Sequence, residues 1–290
     1  VVHTTSVNYN LNGGNINGHT DFTTTVEYGG YVSLPEPVRT GYTFEGWYEA
    51  EDLSGQKLDA NSLWTSYAAD GNLYAKWAPL NYTIEYNLNG GSMGSPTIQT
   101  YTIEDAVQFA VPQMEGYTFA GWYTDEGLTK PAGDSFAAGR TGDITLYAKW
   151  EPNEYTVTYN YNLNTGETLQ GSYPANTTVT YGRKYSMAVP ERFGYEFNGW
   201  RDAEGAFYSN EDGTATFNSW NVAEDITLYA DWTLVYYQLQ IDDRGVIYWV
   251  KPDGSISKVE SQIPGNVTLS LLDIIENFRK TARNLKVGHK

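Results

Sequence analysis

Gly41-Tyr42-Thr43-Phe44-Glu45-Gly46-Trp47-Tyr48 decides how the rest of the chain is read, because its pattern occurs three times. It returns as Gly116-Tyr117-Thr118-Phe119-Ala120-Gly121-Trp122-Tyr123 and, more loosely, as Gly194-Tyr195-Glu196-Phe197-Asn198-Gly199-Trp200-Arg201. A fixed spacing of roughly 75 residues marks tandem units. Two further signatures keep the same order. Leu73-Tyr74-Ala75-Lys76-Trp77 recurs as Leu146-Tyr147-Ala148-Lys149-Trp150 and Leu228-Tyr229-Ala230-Asp231-Trp232, each closing a unit. The opening Val7-Asn8-Tyr9-Asn10-Leu11-Asn12-Gly13-Gly14 matches Ile84-Glu85-Tyr86-Asn87-Leu88-Asn89-Gly90-Gly91, with Tyr161-Asn162-Leu163-Asn164-Thr165-Gly166 as its expected counterpart in the third unit.

Each signature reads as a strand. Tyr155-Thr156-Val157-Thr158-Tyr159 is β-branched and aromatic with a period of two, and the Asn-Gly-Gly or Asn-Thr-Gly that follows the opening is a turn. A second strand runs through Thr25-Val26-Glu27-Tyr28-Gly29 and Thr178-Val179-Thr180-Tyr181-Gly182 toward Pro35 and Pro190, with Pro112 placed equivalently. Proline stops pairing there, before the Gly-Tyr-x-Phe-x-Gly-Trp strand. Simple alternation sets Phe44 and Trp47 on opposite faces, unless Gly46 marks a bulge. Between the last two strands, Leu63-Trp64, Phe136 or Phe217 is expected to supply a ring that plugs the sheet from a helical turn or loop, and little helix is expected within the units.

Three signatures in register three times over resemble the Listeria-Bacteroides repeat, the B-repeat of internalin-type bacterial surface proteins. The resemblance covers about residues 1–233. It implies a β-grasp-like fold and an extracellular, wall-attached setting. Arg201 in place of Tyr, Asp231 in place of Lys, and a longer third unit depart from the pattern of the other two copies.

After Trp232 the signatures stop and the charge changes. Of a net charge of −17, the entire acidic excess lies in the repeats, because residues 234–290 hold eight Lys/Arg against six Asp/Glu. Val246-Ile247-Tyr248-Trp249-Val250 and Ser255-Ile256-Ser257-Lys258-Val259 flank the turn Lys251-Pro252-Asp253-Gly254, which predicts a hairpin. Leu271, Ile274, Ile275, Phe278, Ala282 and Leu285 fall at helical spacing, which predicts an amphipathic helix docked on it.

Composition excludes much of the usual chemistry. The acidic charge opposes broad contact with nucleic acid or anionic lipid. With no cysteine and only His3, His19 and His289, disulfides, thiolate sites and histidine-based zinc sites or triads lack material. No stretch approaches the roughly 18 apolar residues of a membrane span, and the start lacks the pattern of a signal peptide. Glu51-Asp52, Asp242-Asp243 and Glu211-Asp212-Gly213 lack calcium-loop spacing and read as solvated charge. Lys76 and Lys149 read as outward lysines on a final strand that discourage edge pairing. No catalytic residue, metal site or cofactor is assigned.

The three copies separate structural from individual residues. Side chains present in every copy (Gly41, Phe44, Gly46, Trp47 and Trp77; Gly116, Phe119, Gly121, Trp122 and Trp150; Gly194, Phe197, Gly199, Trp200 and Trp232) are needed by the unit itself. Rings found once are where a sugar-stacking platform would be sought, which singles out Trp64, Trp220, Tyr248 and Trp249. The architecture expected is mainly β: repeats at 1–80, 81–152 and 153–233 in an elongated rod, then an α+β hairpin-plus-helix module at 234–290. The function expected is a non-catalytic stalk and interaction module of a secreted, cell-surface-attached bacterial protein. Its signal peptide and anchor would lie outside this stretch, which would be a monomeric part of a larger protein meeting a host or neighbouring-cell surface protein or glycan. The rival is a carbohydrate-binding module; a glycoside-acting enzyme ranks last.

Overall fold

A computed structural model describes residues 3–65, 71–94, 96–235, 238–241, 247–250 and 254–257. The chain divides into two compact units. The first holds Val1–Met114 with Thr118–Glu151, and the second holds Glu115–Tyr117 with Pro152–Lys290.

In the first unit β1 (Thr4–Asn10), β2 (Asp21–Glu27), β3 (Tyr42–Tyr48) and β4 (Gly71–Pro79) form a sheet of order β2-β1-β4-β3. The outer pairs are antiparallel, but β1 and β4 run parallel, with Val7 beside Gly71 and Tyr9 beside Leu73. Parallel neighbours need a long return path, and β3 with its flanking loops supplies it where a helix commonly does. The second copy uses β5 (Tyr82–Asn87), β6 (Ile98–Tyr101), β7 (Val107–Gln108), β8 (Tyr117–Tyr123), β9 (Pro131–Gly133), β10 (Ser135–Phe136) and β11 (Ile144–Pro152). Its sheet runs β6-β5-β11-β8-β9, beside a small β10-β7 ladder.

In the second unit β12 (Glu154–Asn160), β13 (Asn176–Thr180), β14 (Tyr195–Arg201) and β15 (Ile226–Leu234) repeat the order as β13-β12-β15-β14, again with a parallel centre. Then β16 (Gln238–Ile241), β17 (Ile247–Val250) and β18 (Ile256–Ser257) form an antiparallel sheet. The expected hairpin is thus present as β17 and β18, with Gly254 at φ +83° in its turn. The expected helix from Leu271 lies outside the described residues, among which there is no α-helix.

Each repeat sheet buries one face. Val7, Leu73 and Ala75 have no exposed surface in the first, Ile84 and Leu146 none in the second, Val157 and Leu228 none in the third. The bulge decides whether both signature rings can join that face. Phe44 pairs with Trp77 and Gly46 with Lys76, so Glu45 is an extra residue, and the third copy shifts identically between Phe197 and Gly199. The extra residue reverses the alternation and turns Phe44 and Trp47 inward together, ring centroids 5.4 Å apart. Glycine is required because the backbone there adopts φ +140°, +114° and +134° at Gly46, Gly121 and Gly199, which side chains disfavour.

Four expectations are corrected by register. Tyr159, Tyr161 and Asn162 occupy the places of Tyr9, Leu11 and Asn12, two residues earlier than the motif spelling indicates, because Asn162 and Trp232 make the bonds of Asn12 and Trp77. Pro37, rather than Pro35, matches the buried Pro112 and Pro190, since the Trp47 indole donates to the Pro35 carbonyl where its counterparts choose Ala110 and Ala188. Trp220 plugs the third core while Phe217 stays 39% exposed. Lys76 and Lys149 lie on central strands, because the parallel return puts the last strand in the middle, so they guard no edge.

Candidate functional site

The most chemically endowed surface of each repeat is its aromatic seam, and the structure assigns that seam to the core. Trp47, Trp122 and Trp200 are almost wholly buried, and each indole N–H donates to a backbone carbonyl 2.7–2.8 Å away. Trp77, Trp150 and Trp232 donate likewise to the carbonyls of Leu11, Leu88 and Tyr161. Phe44, Phe119 and Phe197 sit edge-on between the two indoles of their repeat. Gly14 and Gly91 exist for this seam, since a Cβ on either would stand 2.4 Å from the Trp77 or Trp150 ring.

The motif asparagines are structural residues that composition alone does not single out. Asn12, Asn89 and Asn162 all take left-handed backbone angles, and their amides donate to the carbonyls of Ala75, Ala148 and Ala230 at 2.7–2.8 Å. Asparagine tolerates that backbone region, and here its side chain also ties the first turn to the closing strand. Their recurrence at one motif position was the available signal.

Two of the four rings sought for a stacking platform are buried. Trp64 is 3% exposed and Trp220 1%, so neither presents a ring face, and each plugs its own core. Residues this large fill cores before they line surfaces. Tyr248 and Trp249 fall on β17 in a separate sheet, and their side chains lie outside the description.

Several of the described carboxylates are tied into turns. Bonds from Ser54 hold the Asp52 carboxyl below its ordinary value, and Thr214 does the same for Asp212. Asp105 and Asp125 are lowered in the same way by Thr102 and Thr129. Each ties down a turn near the surface, and a lowered carboxyl is the opposite of a general acid. Asp242 and Asp243 lie outside the described residues. Among the described residues no three His, Asp or Glu side chains converge as a metal site would require.

Two places distinguish the copies. Lys76 lies over the Tyr48 ring at 5.5 Å and Lys149 over Tyr123 at 5.3 Å, with Lys76 also 3.2 Å from Glu45. In the third copy Asp231 meets Arg201 at 3.0 Å and accepts from Asn198 at 2.8 Å. The departures are therefore a matched exchange of both partners. The second place is the bulge glycine. A Cβ at Gly46 would strike the Lys57 stem, and one at Gly199 the Ser209 carbonyl, whereas Gly121 has no atom within 4 Å. The short strand past Gly121 is Pro131-Ala132-Gly133, and a cleft of about 480 Å³ opens there between Phe109, Val111, Phe119, Trp122 and Asp134.

Tandem sheets without helix among the described residues, each closed on aromatic rings, define a class of β repeats. The Listeria-Bacteroides repeat domain model matches residues 6–76, 82–149 and 155–231, and the chain belongs to that family. It is 32% identical over 234 residues to a "Putative Gly-rich membrane protein" of Evansella cellulosilytica, covering 79% of this chain and 25% of that protein. A second protein of that organism, also named for the membrane, is 32% identical over 82% of this chain and 33% of its own length. Internalin H of Listeria monocytogenes is 36% identical over 41% of this chain and 21% of its own. The chain thus spans a third or less of the relatives it matches. Among the described residues no helix is long and apolar enough to cross a membrane.

Proposed function

We propose that these repeats are a non-catalytic stalk and interaction region of an extracellular, surface-attached bacterial protein, with modules at 1–80, 81–152, 153–233 and 234–290. The observation that carries this reading is the burial of Trp47, Trp122 and Trp200 with their hydrogen bonds already satisfied by backbone. A ring spent on the core of every copy is a building element. The relatives' names support a membrane or surface setting. A partner protein or glycan would be engaged by the larger surface protein of which the repeats form part.

The test replaces the repeats, within a surface protein that carries them, by unrelated tandem domains of equal length. Retained adhesion with altered reach only when length changes is the expected result. Loss of adhesion at constant length overturns the stalk reading. Glycan binding is the second reading, favoured by the aromatic cleft beside Gly121. Saturable change of tryptophan fluorescence with a polysaccharide, abolished by Val111→Asp, would establish it.

A further inference from the structure

The second repeat departs from the other two in two ways, and both fall at one place. The first departure is the residue before the bulge glycine. In the other copies it bonds across to the closing strand: the Glu45 carboxylate lies 3.2 Å from the Lys76 ammonium, and the Asn198 amide donates to Asp231 at 2.8 Å. The second repeat has Ala120 there, whose side chain carries no group that could bond to Lys149. The Lys149 ammonium keeps its position over the Tyr123 ring, 3.5 Å from that hydroxyl. Among the described residues no carboxylate stands within ion-pair distance of it.

The second departure is the segment that crosses the bulge glycine. The amides of Thr124 and Asp202 donate to the carbonyls of Lys130 and Ala206, so Pro131-Ala132-Gly133 takes the place of Phe207-Tyr208-Ser209. In the third repeat the Phe207 ring and the Ser209 carbonyl close over Gly199, and in the first the Lys57 stem closes over Gly46. In the second, Pro131 is short and Gly133 takes φ +78°, a backbone turn that Ser209 does not make. The cleft above Gly121 is the result. Ala120 and Tyr123 line it together with Phe119, Trp122 and Val111, the last 71% exposed. The missing carboxylate and the missing ring therefore belong to one continuous space.

We propose that this cleft binds a partner protein through a segment that carries an aromatic ring beside a single carboxylate. The ring stands where Phe207 stands in the third repeat, against Phe119 and Trp122, and the carboxylate stands where Glu45 stands in the first, facing Lys149. Aromatic walls favour a ring edge-on or offset, and Lys149 supplies the matching charge. The surroundings limit that charge to one. Residues 81–152 hold nine Asp and Glu against three Lys and Arg, so a polyanion is repelled, while one carboxylate beside Lys149 is screened from the rest. A peptide segment meets that condition and an acidic polysaccharide does not. The proposal rests on the reading of the repeats as an interaction region, and it gives the cleft a protein ligand in place of a glycan.

The test titrates the full chain with acetyl-Phe-Glu-amide and with its neutral twin acetyl-Phe-Gln-amide, following the NMR signals of Gly121, Tyr123 and the Trp122 indole. Saturable shifts at the cleft are expected, with the acidic peptide bound about threefold or more tighter, the scale of a partly exposed ion pair. Two variants separate the groups. Ala120→Glu supplies the carboxylate from the chain itself, as Glu45 does for Lys76, and should erase the preference while the neutral peptide still binds. Val111→Asp should abolish binding of both, and the first repeat already tolerates an acid there, since Glu36 follows the Trp47 acceptor Pro35 as Val111 follows the Trp122 acceptor Ala110. Equal affinity for the two peptides, or a preference that survives Ala120→Glu, overturns the proposal. Saturation by cellohexaose that the acidic peptide does not displace gives the cleft to a glycan and overturns it as well. No response to any of the three removes both ligands from the cleft and leaves the stalk reading standing.

Discussion

The first and third repeats bury the same skeleton and differ in how they secure its rim. In the first, Gly14 leaves room for the Trp77 ring, and Arg39 passes beside Gly13 to stack on Tyr42 at 3.7 Å. In the third, Asn164 stands where Gly14 would be, and Arg192 stacks on Tyr195 at 3.6 Å while pairing with Glu167 almost out of contact with water. One rim rests on small residues and an arginine stacked on tyrosine, the other adds a buried ion pair to the same stack. A shared core thus tolerates a new charge at its margin where the arginine already stacked there pairs with it.

The greatest loss should come from the shared core. Trp47→Ala, Trp122→Ala or Trp200→Ala should each cost about 3–5 kcal/mol, confined to the repeat that carries the change. Calorimetry resolving the repeats would check this, and a much smaller loss in one copy would separate its core from the others. Next in size is the rim. Arg192→Met strands Glu167 and should cost about 3 kcal/mol, whereas Arg39→Met loses an exposed contact with Tyr42 and should cost less than about 1 kcal/mol. Equal losses in urea titrations would end the contrast drawn above.

The bulge glycines should follow as a graded series. Positive φ alone costs about 1–3 kcal/mol for alanine. Gly199→Ala adds a clash with the Ser209 carbonyl, Gly46→Ala meets the flexible stem of Lys57, and Gly121→Ala meets nothing within 4 Å. The order Gly199, Gly46, Gly121 is therefore expected in melting temperatures.

Alkaline pH should act on the buried tyrosines. Burial pushes the Tyr159 phenol up to about 12, and raises Tyr9 and Tyr86 as well. Between about pH 10 and 12 the unfolded chain has released the proton that the folded repeat retains, so stability, full below about 10, falls as pH rises through that window. Tyr159→Phe should flatten the third repeat's alkaline decline, read by denaturant unfolding across pH. The smallest effect belongs to the exchanged pair. Tyr48→Arg with Lys76→Asp should restore about 0.5 kcal/mol relative to the sum of the single changes, since these side chains are substantially exposed.

Much of the fold was legible because its signatures are local. Strand identity, the repeat count and the structural tryptophans follow from three recurring motifs, and Gly46 pointed to the bulge by interrupting the alternation between Phe44 and Trp47. The shifted third opening was not legible, because Tyr161-Asn162-Leu163-Asn164 spells the motif better than Tyr159-Asn160-Tyr161-Asn162 does. Spelling sees residue types, while the match is set by which asparagine reaches Ala230. Trp64 and Trp220 misled for a related reason: occurring outside the shared motifs is no measure of exposure, and both rings fill cores.

The sequence by itself determined three mainly β repeats, their order and their family, because periodicity and turn chemistry act over a few neighbouring residues. Only the tertiary structure decided that the closing strand lies in the middle of each sheet, that Arg201 and Asp231 are one exchange, and which rings remain outside the core. Those depend on contacts between residues far apart in the chain, where parallel pairing and burial choose among partners that local pattern leaves equivalent.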